Sequence, residues 1–137
     1  MKDIKLERLI VFLDIESTGL DTMKDRIIEL AFVKVRNFDA GHNAYERRYI
    51  FTPGIIIPQQ SIDVHGITNE KVRECELFSE RAKEIFEFIQ GCDLAGFNSN
   101  RFDVPMLYFE LSRCGFTLDY QSINLIDVGN IFKIKEQ

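Results

Sequence analysis

The chain has 137 residues, enough to bury a real core as one domain. A hydrophobic content of 45% with twelve Phe fits a globular protein, not a disordered or fibrous one. Seventeen Lys and Arg against 22 Asp and Glu give a net charge of −5, which argues against coating nucleic acid by bulk positive charge. It leaves room for an enzyme whose cations are bound metal ions. Cys75, Cys92 and Cys114 stand far apart, odd in number and without C-x-x-C spacing, so neither a disulfide framework nor a zinc site is expected. No apolar run approaches membrane-spanning length and the N-terminus is charged, so the expected setting is the cytoplasm, without membrane.

Leu9 to Leu13 is five apolar residues in a row, as in a strand covered on both faces. Arg26 to Val35 and Arg47 to Phe51 read as two more strands, with a turn composition at Asn37 to Asn43, which suggests an antiparallel meander. Thr52-Pro53-Gly54 breaks the third strand, and an irregular apolar segment follows up to Glu70. Ser79 is the expected N-cap of a helix bearing Ala82, Ile85, Phe86 and Ile89 on one face, ended by Gly91. Asp93 to Phe97 is a short strand. Val104, Leu107, Tyr108 and Leu111 repeat the helical spacing before Gly115, and Ile123 to Val128 is a fifth strand. Three leading strands followed by alternation predict an α/β fold, a mixed sheet with helices packed on it.

Asp14 and Glu16 follow the first apolar run directly. Residues two apart in a strand point the same way, so both carboxylates project from one face. So close a pair repels itself unless a proton or a cation sits between them, and hard divalent ions with oxygen ligands suit the geometry. An ordinary solvated strand end is the competing explanation. A capping box at Ser17 fails, because Leu20 stands where Glu or Gln is needed. Asp103 lies just past the fourth strand, where it either caps the helix beginning at Val104-Pro105 or joins the first two acids. A third cluster, Val64-His65-Gly66-Ile67-Thr68, holds one His and an N-cap Thr; a lone His is more often structural than catalytic.

Taken together, "FLDIESTGL", "DRIIELAFV", "VHGITNE" and "FNSNRFDVPML" resemble, in order and spacing, the DnaQ-like (DEDD) family of 3′–5′ exonucleases with a ribonuclease H-like fold. The resemblance runs from Leu9 to Asp127. It implies a two-metal site for Mg²⁺ or Mn²⁺: Asp14 touching both ions, Glu16 the ion that carries the attacking water, Asp103 the ion beside the leaving 3′ oxygen. It implies that Thr18 contacts the terminal nucleotide, that Val64, His65 and Phe102 form its pocket, and that Gln60 stands where relatives often carry a Glu that binds the 3′ end. The implied partner is the 3′ end of single-stranded DNA or RNA, with a polymerase or other protein as a further partner.

The resemblance departs at one point. The family's last motif, a general-base His and a fourth Asp on a later helix, has no counterpart before Gln137. Asp127 lacks the surrounding pattern and reads as a strand-end Asp. Residues 1–137 are therefore expected to be a single exonuclease-like domain, C-terminally truncated. Its uncovered apolar face, expected at Leu9, Val11, Leu125 and Ile126, would favour a homo-oligomer. The alternative from another class is a non-catalytic nucleic-acid-binding or scaffolding module. A phosphatase of the haloacid dehalogenase type is disfavoured by Glu16 in place of its second Asp.

Overall fold

A computed structural model describes residues 9–36, 44–97 and 102–128. The expected turn at 37–43 and the segment 98–101 lie outside them. Five strands form one mixed sheet in the order β3-β2-β1-β4-β5. β1 (Leu9–Ser17), β2 (Ile27–Arg36) and β3 (Tyr45–Ile50) make the antiparallel meander, and β4 (Asp93–Gly96) and β5 (Leu125–Asp127) add in parallel to β1 and to each other. The expected α/β architecture holds.

Four helices occur among the described residues: α1 (Gln59–His65), α2 (Asn69–Val72), α3 (Ala82–Ile89) and α4 (Val104–Arg113). The main core lies on one face of the sheet. Val11, Leu13, Ile15, Leu30, Phe32 and Leu94 meet Ala82, Ile85 and Ile89 of α3 and Val104, Met106, Leu107 and Leu111 of α4. A smaller cluster of Ile28, Ile57, Ile67 and Val72 ties the segment around α1 and α2 to β2.

One expectation holds: β1 runs through both acids to Ser17, with Leu13 and Ile15 pointing into the core and Asp14 and Glu16 on the other face. Several others need correction. The stretch taken as irregular contains α1 and α2. α1 has no fully buried residue, so it has no apolar period; only its punctuation marks it, Pro58 before it and Gly66 after it at φ 77°, a left-handed cap that suits glycine. Ser79 lies in a 3₁₀ turn (Phe78–Glu80), and α3 begins at Ala82 behind Arg81. Thr68 does cap α2, accepting from the Lys71 amide at 3.1 Å. Finally, Val11 is fully buried, and Leu9 and Leu125 pack on the same core. The expected apolar face therefore mixed two sides of the sheet. Ile126 pairs with Ala95, which pairs with Phe12, and these belong to the opposite face.

Candidate active site

Alternation along β1 sets the first two carboxylates. Asp14 is exposed and Glu16 half-buried, side by side above a strand whose other face is core. Directly across from Glu16 in β2 stands Glu29, a like charge at close range that is held by an ion pair with Arg48 of β3. Burial first, then Asp14, pushes the Glu16 carboxyl up; Glu29 adds to the rise and His65 opposes it.

The third acid arrives on α4. Asp103 has helical backbone angles (φ −64°, ψ −47°), and its side chain makes no capping hydrogen bond. The capping explanation for Asp103 therefore fails. Its carboxyl is 6% exposed and pushed up to about 7, by burial first and then by Asp14, Glu16 and Asp127. Asp127, the last residue of β5, brings a fourth negative charge to the same end of the sheet. The carboxylates thus feel one another. Among the described residues, however, no three His, Cys, Asp or Glu side chains close tightly enough to form a cage around a metal ion. The donors are nevertheless all carboxylate oxygens, and the repulsion that raises Asp103 is the kind a divalent cation relieves. The donor chemistry fits a hard ion such as Mg²⁺ or Mn²⁺.

Beside the acids lies a cavity of about 600 Å³, lined in part by Glu16, Thr18, Gln60, Val64, His65 and Phe102. All five residues expected to touch substrate therefore share one wall system with Glu16. Gln60 and Val64 stand four apart on α1, hence on one face, and Val64 is 82% exposed. His65 is committed on both ring nitrogens. Nδ1 accepts from the Ile67 amide at 3.0 Å, which leaves the proton on Nε2, 3.1 Å from the Ser17 carbonyl. What His65 offers a ligand is its ring, not a proton.

Thr18 needs a similar restriction. It is 1% exposed; its hydroxyl donates to Asp25 Oδ1 at 2.7 Å and accepts from the Arg26 amide at 3.0 Å. One lone pair is left and no proton, so this hydroxyl has nothing to donate to a phosphate. Ser61, which the motif reading passed over, donates to the Thr18 carbonyl at 2.6 Å and so fixes α1 to the end of β1. Asp25 was also missed. It opens the segment "DRIIELAFV" quoted for the resemblance, yet its type and spacing give it no role; only the folded turn shows that its carboxylate reaches Thr18 and Asp21.

The model of the RNase T exonuclease family matches residues 11–135. The chain is 34% identical over 114 residues to the DNA polymerase III subunit epsilon of Buchnera aphidicola, covering 79% of this chain and 44% of that protein. It is 29% identical over 127 residues to the DNA polymerase III PolC-type of Caldanaerobacter subterraneus, covering 93% and 9%, and 28% identical over 123 residues to the 3′–5′ exonuclease DinG of Bacillus subtilis, covering 88% and 13%. The chain thus spans less than half the length of each. Among solved structures, Escherichia coli exonuclease I in its complex with single-stranded DNA superposes with a TM-score of 0.81 at 16% identity, over 95% of this chain and 30% of that one. That likeness establishes the ribonuclease H-like exonuclease fold. Together with a family match over nearly the whole sequence, it places this chain in the RNase T exonuclease family.

Proposed function

We propose that residues 1–137 form a single divalent-metal-dependent exonuclease domain that removes nucleoside monophosphates from the 3′ end of a nucleic acid, DNA in the first instance. The observation that carries this is the meeting of acids from two distant segments, Asp14 and Glu16 on β1 and Asp103 directly before α4, beside one cavity, with Asp103 raised to about 7 by burial first and then by these neighbours. Ordinary surface acids do not crowd until one of them holds its proton near neutrality.

In this reading Asp14, Glu16 and Asp103 hold the metal, as a pair of Mg²⁺ or Mn²⁺ ions. Such ions, when bound, supply Lewis-acid charge to the phosphodiester under attack. The chain's own part is to fix the strand end. Val64 and Phe102 pack on the terminal base and sugar, the His65 ring closes the cavity floor, and the Gln60 amide, on the same wall, bonds the 3′ terminus. Thr18 contributes as wall and as anchor for α1. A polymerase or other protein partner, self-association and a cytoplasmic site of action belong to the same proposal. The names of the epsilon relatives support the polymerase partner; the described residues contain no helix long and apolar enough to cross a membrane.

The test is release of label from 3′- and 5′-labelled single-stranded oligonucleotides with Mn²⁺ or with EDTA. Mononucleotides should appear from the 3′ end only, vanish with EDTA, and fall in Asp14→Asn and Asp103→Asn. Release from the 5′ end, or release indifferent to both substitutions, would overturn the reading.

A further inference from the structure

We infer that Asp25 is a positioning residue for the loop that follows Asp14 and Glu16, and that residue 19 is glycine because of it. The consequence for substrate rests on the exonuclease reading above; the structural coupling does not.

The loop leaves β1 at a register shift between Glu16 and Ser17 and returns into β2 at Ile27. Thr18 and Arg26 close its base, the Thr18 amide donating to the Arg26 carbonyl at 3.0 Å and the Arg26 amide to the Thr18 hydroxyl at 3.0 Å. The Asp25 side chain reaches back into this frame. Its Oδ1 accepts the Thr18 hydroxyl proton at 2.7 Å, and its Oδ2 accepts the Asp21 amide at 2.9 Å. One carboxylate therefore ties two points of the loop three residues apart. Both are charge-assisted bonds, which are stronger than neutral ones.

Gly19 lies between those two points, against the carboxylate. A Cβ there would stand 2.4 Å from Asp25 Oδ2 and 2.8 Å from Cγ. Gly19 does not adopt a positive φ, so its backbone conformation would accept any L-residue. The obstacle is the Asp25 carboxylate, which could move aside only by giving up its bonds to Thr18 and Asp21. Asp25 and the Gly19 space are one device.

The device bears on the cavity because α1 hangs from this loop. Ser61 donates to the Thr18 carbonyl and His65 Nε2 lies against the Ser17 carbonyl, while α1 has no fully buried residue and packs only half-buried Ile62 on the small cluster. A loop released by loss of Asp25 carries Gln60, Val64 and His65 with it. Asp14 and Asp103 sit on elements held by the core and stay in place. The effect should therefore fall on substrate capture more than on turnover.

The experiment combines a melting cycle with kinetics. Thermal melting of wild type, Gly19→Ala, Asp25→Ala and the double variant reads the coupling. Gly19→Ala should lower the melting temperature when Asp25 is present and leave it unchanged in the Asp25→Ala background. If Gly19→Ala does not fold alone, folding of the double variant is the supporting result. An equal penalty in both backgrounds, or a double variant that fails to fold while Asp25→Ala folds, would refute the coupling. Kinetics on a 3′-labelled oligothymidylate with Mn²⁺, well below the melting temperatures, reads the positioning role. Asp25→Ala should raise KM about ten-fold, the scale of one hydrogen bond to a charged group, with kcat within about two-fold. Asp25→Asn should fall between, since its amide oxygen still accepts from Thr18 while its NH₂ has no lone pair for Asp21. Unchanged KM in Asp25→Ala, or a loss confined to kcat, removes the positioning role. If wild type releases no mononucleotide, the exonuclease reading of residues 1–137 on their own has failed, and the melting cycle alone decides between Asp25 and an intrinsic need for glycine.

Discussion

α4 and α1 both carry site residues to the same end of β1, and they are held there in opposite ways. α4 sends Val104, Met106, Leu107 and Leu111 into the core, all fully buried, and presents Asp103 from its first turn. α1 has no fully buried residue and presents Gln60, Val64 and His65; it is held by half-buried Ile62, packed on the small cluster of Ile28, Ile57, Ile67 and Val72, and by Ser61 and His65 against two successive carbonyls, Thr18 and Ser17. The acid proposed to hold metal stands directly before a helix that is packed into the main core. The residues proposed to meet base and sugar sit on a helix with no fully buried residue. Ions need tight placement, whereas a cavity that accepts different terminal nucleotides gains from a wall that gives.

The largest way to break this contrast is to damage the rigid side. Leu111→Ala should cost about 2–5 kcal/mol by leaving a cavity in the main core. Denaturant melts with and without Mn²⁺ check it, and metal binding should weaken along with stability because α4 also carries Asp103. A loss below ~1 kcal/mol, the range of surface changes and not of core truncations, would mean that α4 is not the rigid partner.

Next in size is the pH dependence of the metal-free protein. Asp103 has its folded-state pKa raised to about 7 from an ordinary 3.8. A raised carboxyl pKa means that the unfolded chain ionises first. The contribution of Asp103 to stability is therefore fullest below about pH 4, falls as pH rises through the window up to about 7, and is then level. The integrated loss is a few kcal/mol at most. In EDTA, the stability difference between Asp103→Asn and wild type should thus grow from pH 4 to pH 8 in favour of the variant. A divalent ion should stabilise wild type more at pH 8 than at pH 5. A difference between the two proteins that is flat with pH would show that Asp103 is not crowded by its neighbours.

The rigid side was also the legible side. α4 announces itself by apolar residues at helical spacing, and Asp14 and Glu16 by a D-x-E pair after an apolar run, because burial writes a period into sequence. α1 packs only one half-buried apolar residue, Ile62, so no period exists to be read, and its polar anchors are a serine and a histidine bonded to carbonyls far along the chain. The same limit explains the first strand. Five consecutive apolar residues hide which of them face α3 and α4, so Val11 was assigned to a surface when it is the most enclosed residue of β1. Asp25 was out of reach for a third reason: its importance depends on Gly19 being pressed against it, a contact made only by the turn between β1 and β2.

A smaller perturbation sharpens the loose side. Ser61→Ala removes the 2.6 Å bond to the Thr18 carbonyl and should cost about 0.5–1.5 kcal/mol in stability, the ordinary worth of one hydrogen bond. Its kinetic signature should be a raised KM for 3′ ends with kcat little changed. If kcat falls alone, α1 is acting on the acids and not on the substrate wall.

The smallest effect on the folded protein is expected from Val64→Ala, and for that reason it isolates substrate contact best. Val64 is 82% exposed on a helix with no fully buried residue, so truncating it should leave stability within about 0.5 kcal/mol of wild type. Yet Val64 lines the same cavity as Phe102 and Glu16. If a terminal base or sugar covers it, two methyl groups go from buried to absent in the complex. At about 0.8 kcal/mol per buried carbon, that is about 1.6 kcal/mol of binding, or roughly fifteen-fold in KM. The loss should be larger for oligonucleotides ending in a nucleoside than for those ending in an abasic sugar, because only the base is broad enough to cover the side chain. An unchanged KM on both substrates would place the terminal nucleotide elsewhere and leave α1 as scaffold alone.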